Sequence, residues 1–216
     1  MAGLRGGRVS RRGDAGSAYL VLGVVALVLF LVAMLVVIVG LAFSVKVEGH
    51  SMEPTLHDGD RLEVDLLHRH DVNRFDLVEA IEPQEKQYGT GQAIVKRVIG
   101  LPGDQVSVTG KQPVVRLKKA GSSTVYVVDN PAWTPRIGAN TKPCCTSEGR
   151  SNAKSAWVTI PAHSYWVIGD NWGASTDSRV FGFVPEKNVK AKLSFRIQPL
   201  GRFGHIANPV TLAPAR

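Results

Sequence analysis

Cysteine is nearly absent from this 216-residue chain, which has only two, adjacent at Cys144 and Cys145. A bond between neighbouring residues closes no useful loop, so a disulfide framework is excluded as the source of stability. Two thiols also cannot complete a zinc site, and no histidine stands nearby at a ligand spacing. We expect two free thiols in a loop rather than a vicinal redox pair, and no metal site.

Charge is missing altogether from one stretch near the N-terminus. Residues 18–43 read AYLVLGVVALVLFLVAMLVVIVGLAF. As a helix this run spans roughly 39 Å, and one ionised group at the bilayer centre would cost roughly 2.5–3.5 kcal/mol. The run predicts a single-pass membrane anchor. Because four arginines precede it within the basic head, residues 1–17, we expect a cytoplasmic N-terminus and an extracytoplasmic domain.

A removable signal peptide is the alternative for the same run, because Ala42, Phe43 and Ser44 resemble a small-x-small cleavage site. The apolar core of a cleavable signal is roughly 7–15 residues long, well short of this run. We therefore expect the segment to be retained as an anchor, with self-processing left open.

A surplus of acidic residues is also lacking, and the formal net charge is +8. A basic surface attracts nucleic acid or anionic lipid, and beside a membrane segment lipid is the better interpretation. We expect a lipid bilayer, anionic lipid included, as a partner, and no nucleic acid.

Runs with a helical period are missing after the anchor. Short β-type runs alternate there with turn residues: RLEVDLL, DLVEAI, AIVKRVIG, QVSVTG, PVVRL, TVYVVD, AWVTI, SYWVIGD and KLSFRIQP. This pattern predicts a mostly β domain, an antiparallel sheet or barrel-like fold, over residues 44–199. Residues 111–154 are rich in Gly, Pro, Ser, Asn and Thr and are predicted to be a loop-rich insertion; residues 200–216 are expected to form a loose tail.

Ser51 lies in the turn-rich stretch GHSMEPTLHDGD, residues 49–60. A serine hydroxyl is a poor nucleophile until a base removes its proton. His50 is adjacent, but neighbours on an extended chain point to opposite sides, so we expect it to face away. The other histidines have no carboxylate at a telling spacing, and a histidine triad has little support.

Lys96 is the better candidate for the base. In AIVKRVIG, alternation places Lys96 on one face with Ile94 and Val98. Burial among apolar residues would lower the lysine pKa and leave some neutral amine. An ordinary edge-strand lysine with its head in solvent fits this run equally well.

A third stretch, GDNWGASTDSR, supplies possible supports. Ser175 could hydrogen-bond a neutral lysine and orient its lone pair. Asp177 and Arg179, two apart on an extended segment, could form an ion pair beside the lysine, although such a pair at the surface is worth only about 0–1 kcal/mol.

Taken in order behind the anchor, GHSMEPTL, GDRLEVD, KRVIGLPGD and GDNWGASTDSR resemble bacterial type I signal peptidases, also called leader peptidases. These are membrane-anchored serine proteases with a Ser-Lys dyad. The resemblance implies Ser51 as the nucleophile and Lys96 as the general base. It implies Ser175 as the orienter of the lysine, with Asp177 and Arg179 as the supporting pair.

The resemblance also implies that Met52 and Leu56 line a small substrate pocket. Gly49 lacks the hydroxyl that some relatives use in the oxyanion hole, so the expected oxyanion site consists of the Ser51 backbone N–H and the Gly49 position. WGA replaces the more usual Arg-x-Asn type of sequence before Ser175, which leaves the structure of that loop open.

The implied substrates are exported precursors that carry a signal peptide and are cleaved after small-x-small (Ala-x-Ala) sites in the bacterial cell membrane. No cofactor is expected, and the sequence does not fix the oligomeric state. Two alternatives stay open: a self-cleaving, repressor-like Ser-Lys protease, and a catalytically inactive membrane-tethered β scaffold in secretion.

Overall fold

The computed structural model describes residues 14–84, 91–110, 113–133 and 142–215. The chain divides into two compact units, residues 1–43 and residues 44–216. Most of the predicted basic head lies outside the described residues, as do two pieces of the predicted insertion, residues 111–112 and 134–141.

The first unit contains one helix, α1, from Asp14 to Ala42, 29 residues long. Its side chains are apolar on every side, as is typical of a membrane span rather than of a surface helix. Within the described residues it is the one helix long and apolar enough to cross a bilayer, by length and composition, over Gly16–Gly40.

In its described residues, the second unit is built from short strands and one short helix, α2, Ser178–Phe181. Turns of 3-10 helix occur at Trp172–Ala174, Glu186–Asn188 and Leu200–Arg202. The strands are β1 Ser44–Lys46, β2 Arg61–Glu63, β3 Leu77–Ile81, β4 Ala93–Gly100, β5 Gln105–Val108, β6 Val115–Lys118, β7 Tyr126–Asp129, β8 Val158–Thr159, β9 Ser164–Ile168, β10 Val184–Pro185, β11 Val189–Leu193, β12 Phe195–Gln198, β13 Gly204–His205 and β14 Thr211–Pro214.

These strands form three sheets, in the orders β1-β2-β12-β13, β10-β9-β4-β3-β11 and β14-β7-β6-β5-β8. Every strand pair among the described residues is antiparallel. The prediction of a mostly antiparallel β domain is therefore confirmed, and each of the nine predicted runs contains a strand.

Strand β4 lies in the middle of its sheet, between β9 and β3. Lys96 is paired with Val78 of β3, and the next residue, Arg97, is paired with both Leu77 of β3 and Ile168 of β9. The side chain of Lys96 is only 4% exposed. The alternative of a lysine with its head in solvent is thus wrong, because the side chain is buried. Strand β9 covers β4 only from Arg97 onward, and the edge of residues 93–96 opposite β3 has no strand partner among the described residues.

Two further expectations are corrected. The predicted loose tail contributes β13 and β14, and β14 pairs with β7 over four residues, so the tail is held to the sheets by backbone hydrogen bonds at two places. Cys144 and Cys145 form a disulfide and are not free thiols. The backbone of Cys144 forms isolated β-bridges with Val108 and Ser151. Both cysteines belong to an apolar core cluster and do not lie in an exposed loop.

A buried ion pair connects β4 to the loop that follows β9. Arg97 donates from Nε and Nη2 to the two carboxylate oxygens of Asp170, at 2.9 and 2.6 Å. Both side chains are at most 1% exposed. Asn130 and Thr55 donate to the same carboxylate, so its charge is well compensated.

We predict that Arg97→Met lowers the free energy of unfolding by about 3–5 kcal/mol, because it leaves the Asp170 carboxylate buried without its cation. Urea denaturation of the full chain in detergent measures the change. Lys187→Met, which removes an exposed cation, is the matched control and should stay within about 0.5 kcal/mol. A loss below about 1 kcal/mol for Arg97→Met would contradict this account of the buried pair.

Candidate active site

The turn that carries Ser51 follows β1 and is closed by its own hydrogen bonds. Leu56 N–H donates to the Met52 carbonyl at 2.9 Å, and Gly49 N–H donates to the Asp58 carboxylate at 2.8 Å. Gly49 has φ +81°, a conformation that favours glycine. The local sequence thus shapes the turn without using the Ser51 hydroxyl.

A second segment holds this turn from outside. The backbone N–H of Asn171 donates to the Ser51 carbonyl at 2.9 Å, and its side-chain Nδ2 donates to the His50 carbonyl at 2.9 Å. Gly169 packs so closely that a Cβ there would collide with the Ser51 carbonyl and with Ser175 Oγ. Asn171 therefore fixes the backbone on which Ser51 is carried.

Lys96 is in direct contact with the serine hydroxyl. Its Nζ donates to Ser51 Oγ at 2.8 Å and to the Val95 carbonyl at 3.0 Å. The contact joins residues 45 positions apart in sequence. An amine and a hydroxyl at this distance can exchange a proton directly.

The surroundings of Lys96 increase the fraction of its side chain that is present as the neutral amine. Burial lowers the pKa of Lys96, and this effect exceeds the opposite influence of Asp177 and Glu82, while Arg179 lowers the pKa further. The net result is a lysine pKa below its ordinary value, the direction that a general base requires.

Asp177 and Arg179 form the predicted ion pair, but in a buried position. Arg179 donates to both carboxylate oxygens of Asp177 at 2.8 Å. Asp177 also caps the N-terminus of α2, and it accepts from Gly169 N–H at 3.1 Å. The sequence predicted an extended segment through Arg179, but the backbone is extended only as far as Asp177 and continues as the short helix α2.

The pKa of Asp177 results from opposing effects. Burial raises it, but the charge of Arg179 and the hydrogen bonds from Arg179 and Gly169 more than offset this, so the pKa lies below its ordinary value. Arg179 is in turn held by the Trp172 carbonyl at 3.0 Å, and its guanidinium lies 4.6 Å from the centre of the Trp172 ring.

Ser175 lies close to the site but makes no hydrogen bond to the lysine among the described hydrogen bonds. Its Oγ is buried beside the Asp177 carboxyl and helps to lower the pKa of that group. The second hydrogen bond of Lys96 goes to the Val95 carbonyl instead. The role of Ser175 as the orienter of Lys96 stays a prediction.

The structure places His50 where the sequence indicated. Its ring bonds to Glu53 at 2.8 Å, and its side chain is 66% exposed. Among the described hydrogen bonds, no histidine reaches Ser51 Oγ. A histidine base is not part of this arrangement.

A cleft of about 290 Å³ opens at the dyad. Its walls come from β1 and the following residues, and from β3 and β4. Met52 lines it together with Ser51 and Lys96, whereas Leu56 is fully buried in the core cluster beneath. Leu56 thus supports the cleft from below, and the predicted contact of Met52 with substrate stays open.

The two expected oxyanion donors differ in whether their backbone N–H is already hydrogen-bonded. Gly49 N–H is already bonded to Asp58. Ser51 N–H makes no hydrogen bond within the described part of the chain. The backbone of Ser51 is therefore the better placed of the two.

Two functional contacts were not foreseen. Asp170 and Asn171 lie in the GDN part of GDNWGASTDSR, and no role was predicted for either residue. Asn171 holds the nucleophile turn through backbone carbonyls, and no sequence pattern reports such contacts. From the sequence, Asp170 could have been predicted only as a carboxylate that pairs with a buried arginine such as Arg97.

The family of this chain is identified by its sequence. Residues 20–198 match the family described as signal peptidase, peptidase S26. The chain belongs to this family. The predicted resemblance, and with it the expectation of a serine endopeptidase, is confirmed.

Two named members of the signal peptidase family are similar in sequence to this chain over most of its length. The chain is 32% identical over 175 residues to the probable signal peptidase I-1 of Synechocystis sp., covering 79% of this chain and 78% of that protein. It is 31% identical over 173 residues to signal peptidase IB of Staphylococcus aureus strain Mu50, covering 76% and 81%. A crystal structure of a signal peptidase I from Enterococcus faecalis V583 is 27% identical and covers 57% of this chain and 97% of that one, with a TM-score of 0.41.

The depressed pKa of Asp177 makes stability depend on pH. A carboxylate with a lowered folded-state pKa stabilises the fold fully above its unfolded value of about 3.9, and this contribution is lost as pH falls through the folded value. We expect the stability gap between wild type and Asp177→Asn to be largest above about pH 5 and to shrink below about pH 4.

Chemical denaturation of both proteins between pH 7 and pH 3 measures this gap. Asp129→Asn changes an exposed carboxylate at the end of β7 and serves as the control, with a small gap throughout. A gap for Asp177→Asn that stays constant over the acid range would argue against a charged, paired Asp177.

Proposed function

We propose that this signal peptidase cleaves precursor proteins with Ser51 as the nucleophile and neutral Lys96 as the general base. The observation that carries the proposal is the 2.8 Å contact between Lys96 Nζ and Ser51 Oγ, made by a lysine that is 4% exposed. A buried amine in contact with one hydroxyl is available in its neutral form and has the position that proton abstraction requires.

The chemistry then runs through an acyl-enzyme. Lys96 takes the Ser51 proton as Oγ attacks the carbonyl carbon of the scissile peptide bond. The resulting oxyanion accepts a hydrogen bond from the free Ser51 N–H. Lys96 passes its proton to the leaving amine, and the C–N bond breaks. Lys96 next activates a water molecule, which hydrolyses the ester and releases the signal peptide.

The substrate is proposed to lie in the cleft as an added strand. The cleft runs between residues 45–48 and residues 92–96, two backbone segments that an extended peptide can pair with. The core cluster below leaves little depth for side chains next to Ser51. This supports a preference for small residues at the first and third positions before the cleavage site.

Helix α1 is proposed to anchor the enzyme in the bacterial cell membrane, with the N-terminus in the cytoplasm and the catalytic unit outside. The substrates are then held in the same bilayer by their own signal peptides. Anionic lipid is a proposed partner of the outer face of β6, where Arg116 and Lys118 lie over the Trp157 ring at 5.4 and 4.4 Å.

We expect Ser51→Ala, Lys96→Ala and Lys96→Arg each to lower precursor cleavage by at least about 10³-fold. The arginine variant keeps the positive charge but cannot supply a neutral base. Mass spectrometry of a signal-peptide precursor incubated with the full-length proteins measures both the rate and the site of cleavage.

Lys154→Ala is the matched control, since it removes an exposed lysine in a loop, and it should cleave at the wild-type rate. Circular dichroism of each variant checks that the β fold is kept. Measurable turnover by a correctly folded Lys96→Ala protein would overturn the assignment of the base.

The lowered pKa of Lys96 also predicts the pH dependence of the reaction. Because only the neutral amine is active, kcat/KM should rise with pH and level off through an apparent pKa below the ordinary value of about 10.4. Rates measured on a synthetic precursor between pH 5 and pH 11 test this. A rise that occurs only near pH 10.4 would contradict the burial of the base.

A further inference from the structure

The disulfide between Cys144 and Cys145 takes no part in the proposed mechanism. A disulfide stabilises a fold mainly by closing a loop of chain, and the gain grows with the number of residues in that loop. A bond between neighbouring residues closes almost no loop, so general stabilisation does not account for it. Its effect is local, on the segment that carries the two cysteines.

Both cysteines lie inside a close-packed core. Cys144 and Cys145 are 0% and 3% exposed and belong to the cluster that contains Trp166 and Trp172. Two bonded sulfur atoms lie closer together than two thiols can, so reduction of the bond demands extra room in this cluster. Because protein cores are packed without spare volume, added bulk displaces the surrounding backbone. The segment that carries the cysteines therefore shifts on reduction.

The reduced form of Cys144 has a hydrogen-bond partner already in place. Its Sγ lies 3.4 Å from the carbonyl oxygen of Gly149, a distance at which a thiol can donate. In the disulfide this sulfur carries no hydrogen, so the contact gains its donor only when the bond is reduced. The same carbonyl accepts from Trp166 Nε1 at 2.9 Å, and its two lone pairs can serve both donors. The thiol state is thus provided for as well as the disulfide.

The residues that follow the disulfide, 146–151, pack against α2. The backbone N–H of Ser151 donates to the carbonyl of Arg179 at 2.7 Å. Gly182, directly after α2, lies so close that a Cβ there would be 2.5 Å from the Glu148 carbonyl oxygen. Since closely packed interiors transmit strain, a shift of residues 146–151 displaces α2 as well.

Arg179 connects α2 to the dyad. Its guanidinium donates to both carboxylate oxygens of Asp177, at the start of α2. Burial is the main cause of the lowered pKa of Lys96, while the charge of Asp177 raises that pKa and the charge of Arg179 lowers it. A displaced Arg179 leaves Asp177 less compensated, which favours the protonated amine. A continuous set of contacts thus joins the disulfide to the general base.

We propose that Cys144 and Cys145 form a redox-modification site, at which an external dithiol lowers the activity of the enzyme by reducing the disulfide. This inference rests on the proposed function, because the activity it concerns is the Ser51–Lys96 reaction. The oxidised protein is the active form, since the site is assembled with the disulfide in place.

The redox step is a thiol–disulfide exchange. A thiolate of the dithiol attacks one cysteine sulfur, the S–S bond breaks, and the released cysteine takes up a proton. The second thiol of the dithiol then displaces the other cysteine. Two electrons and two protons pass to the protein, and the dithiol becomes a disulfide. Ser147 and Glu148 are exposed, so local opening of this turn gives the reagent access to Cys145.

The test compares the full-length protein, purified in detergent without reductant, before and after treatment with dithiothreitol. Because the chain contains no other cysteine, a thiol-dependent effect is assigned to this pair. Alkylation in denaturant and mass spectrometry should count no free thiol before treatment and two after it. We expect kcat/KM on a synthetic precursor to fall about tenfold on reduction and to recover on reoxidation.

Hydrogen exchange of the same two samples locates the change. Exchange should accelerate in residues 144–151 and in α2, and stay the same in β2, which belongs to another sheet. This readout separates a local displacement from a general loss of stability, which would accelerate exchange in β2 as well.

The matched control is the double variant Cys144→Ala, Cys145→Ala, which has no bond to reduce. Its ratio of rates with and without dithiothreitol should be one. The ratio compares one variant with itself, so it stays valid where the variant is only partly folded.

The outcomes separate the two proposals. Free thiols before treatment, a disulfide that resists dithiothreitol in the folded protein, or equal rates for the oxidised and reduced forms would overturn this inference and leave the dyad intact. An equal loss of rate in the double variant, or unchanged exchange in α2, would overturn it too. If the oxidised protein cleaved no precursor, the proposed function itself would fail, and this inference with it.

Discussion

The exclusion of water from the Lys96 amine is the constraint on which the rest of the site depends. An ordinary lysine is protonated near neutral pH and cannot accept a proton from serine. The Lys96 side chain is buried on strand β4, which lies between β3 and β9 in the order of its sheet. Burial alone would be undone by a nearby uncompensated carboxylate, which stabilises the ammonium. The pairing of Asp177 with Arg179 therefore matters to the lysine, because the cation offsets the anion that would otherwise hold the proton.

Two neighbouring residues of β4 hold the nucleophile turn in place. Lys96 contacts the Ser51 hydroxyl, and Arg97 holds Asp170, which in turn accepts a hydrogen bond from Thr55 at 2.5 Å. Asn171, directly after Asp170, donates hydrogen bonds to the backbone carbonyls of His50 and Ser51. The turn is thus fixed at its start and its end by one strand and one loop. This arrangement explains why a lysine-arginine pair on the strand and an Asp-Asn pair in the loop occur together.

The sequence predicted the strands and the dyad because both depend on local patterns. Alternation in AIVKRVIG placed Lys96 among apolar residues, but its burial became certain only with the sheet order, which no local pattern determines. The tail was expected to be loose because no local pattern reveals that β14 pairs with β7, a strand distant in sequence. Cys144 and Cys145 were expected to be free because a bond between neighbouring residues closes no useful loop, and the sequence does not reveal that both lie in a core cluster. Asn171 went unnoticed because it acts on backbone carbonyls.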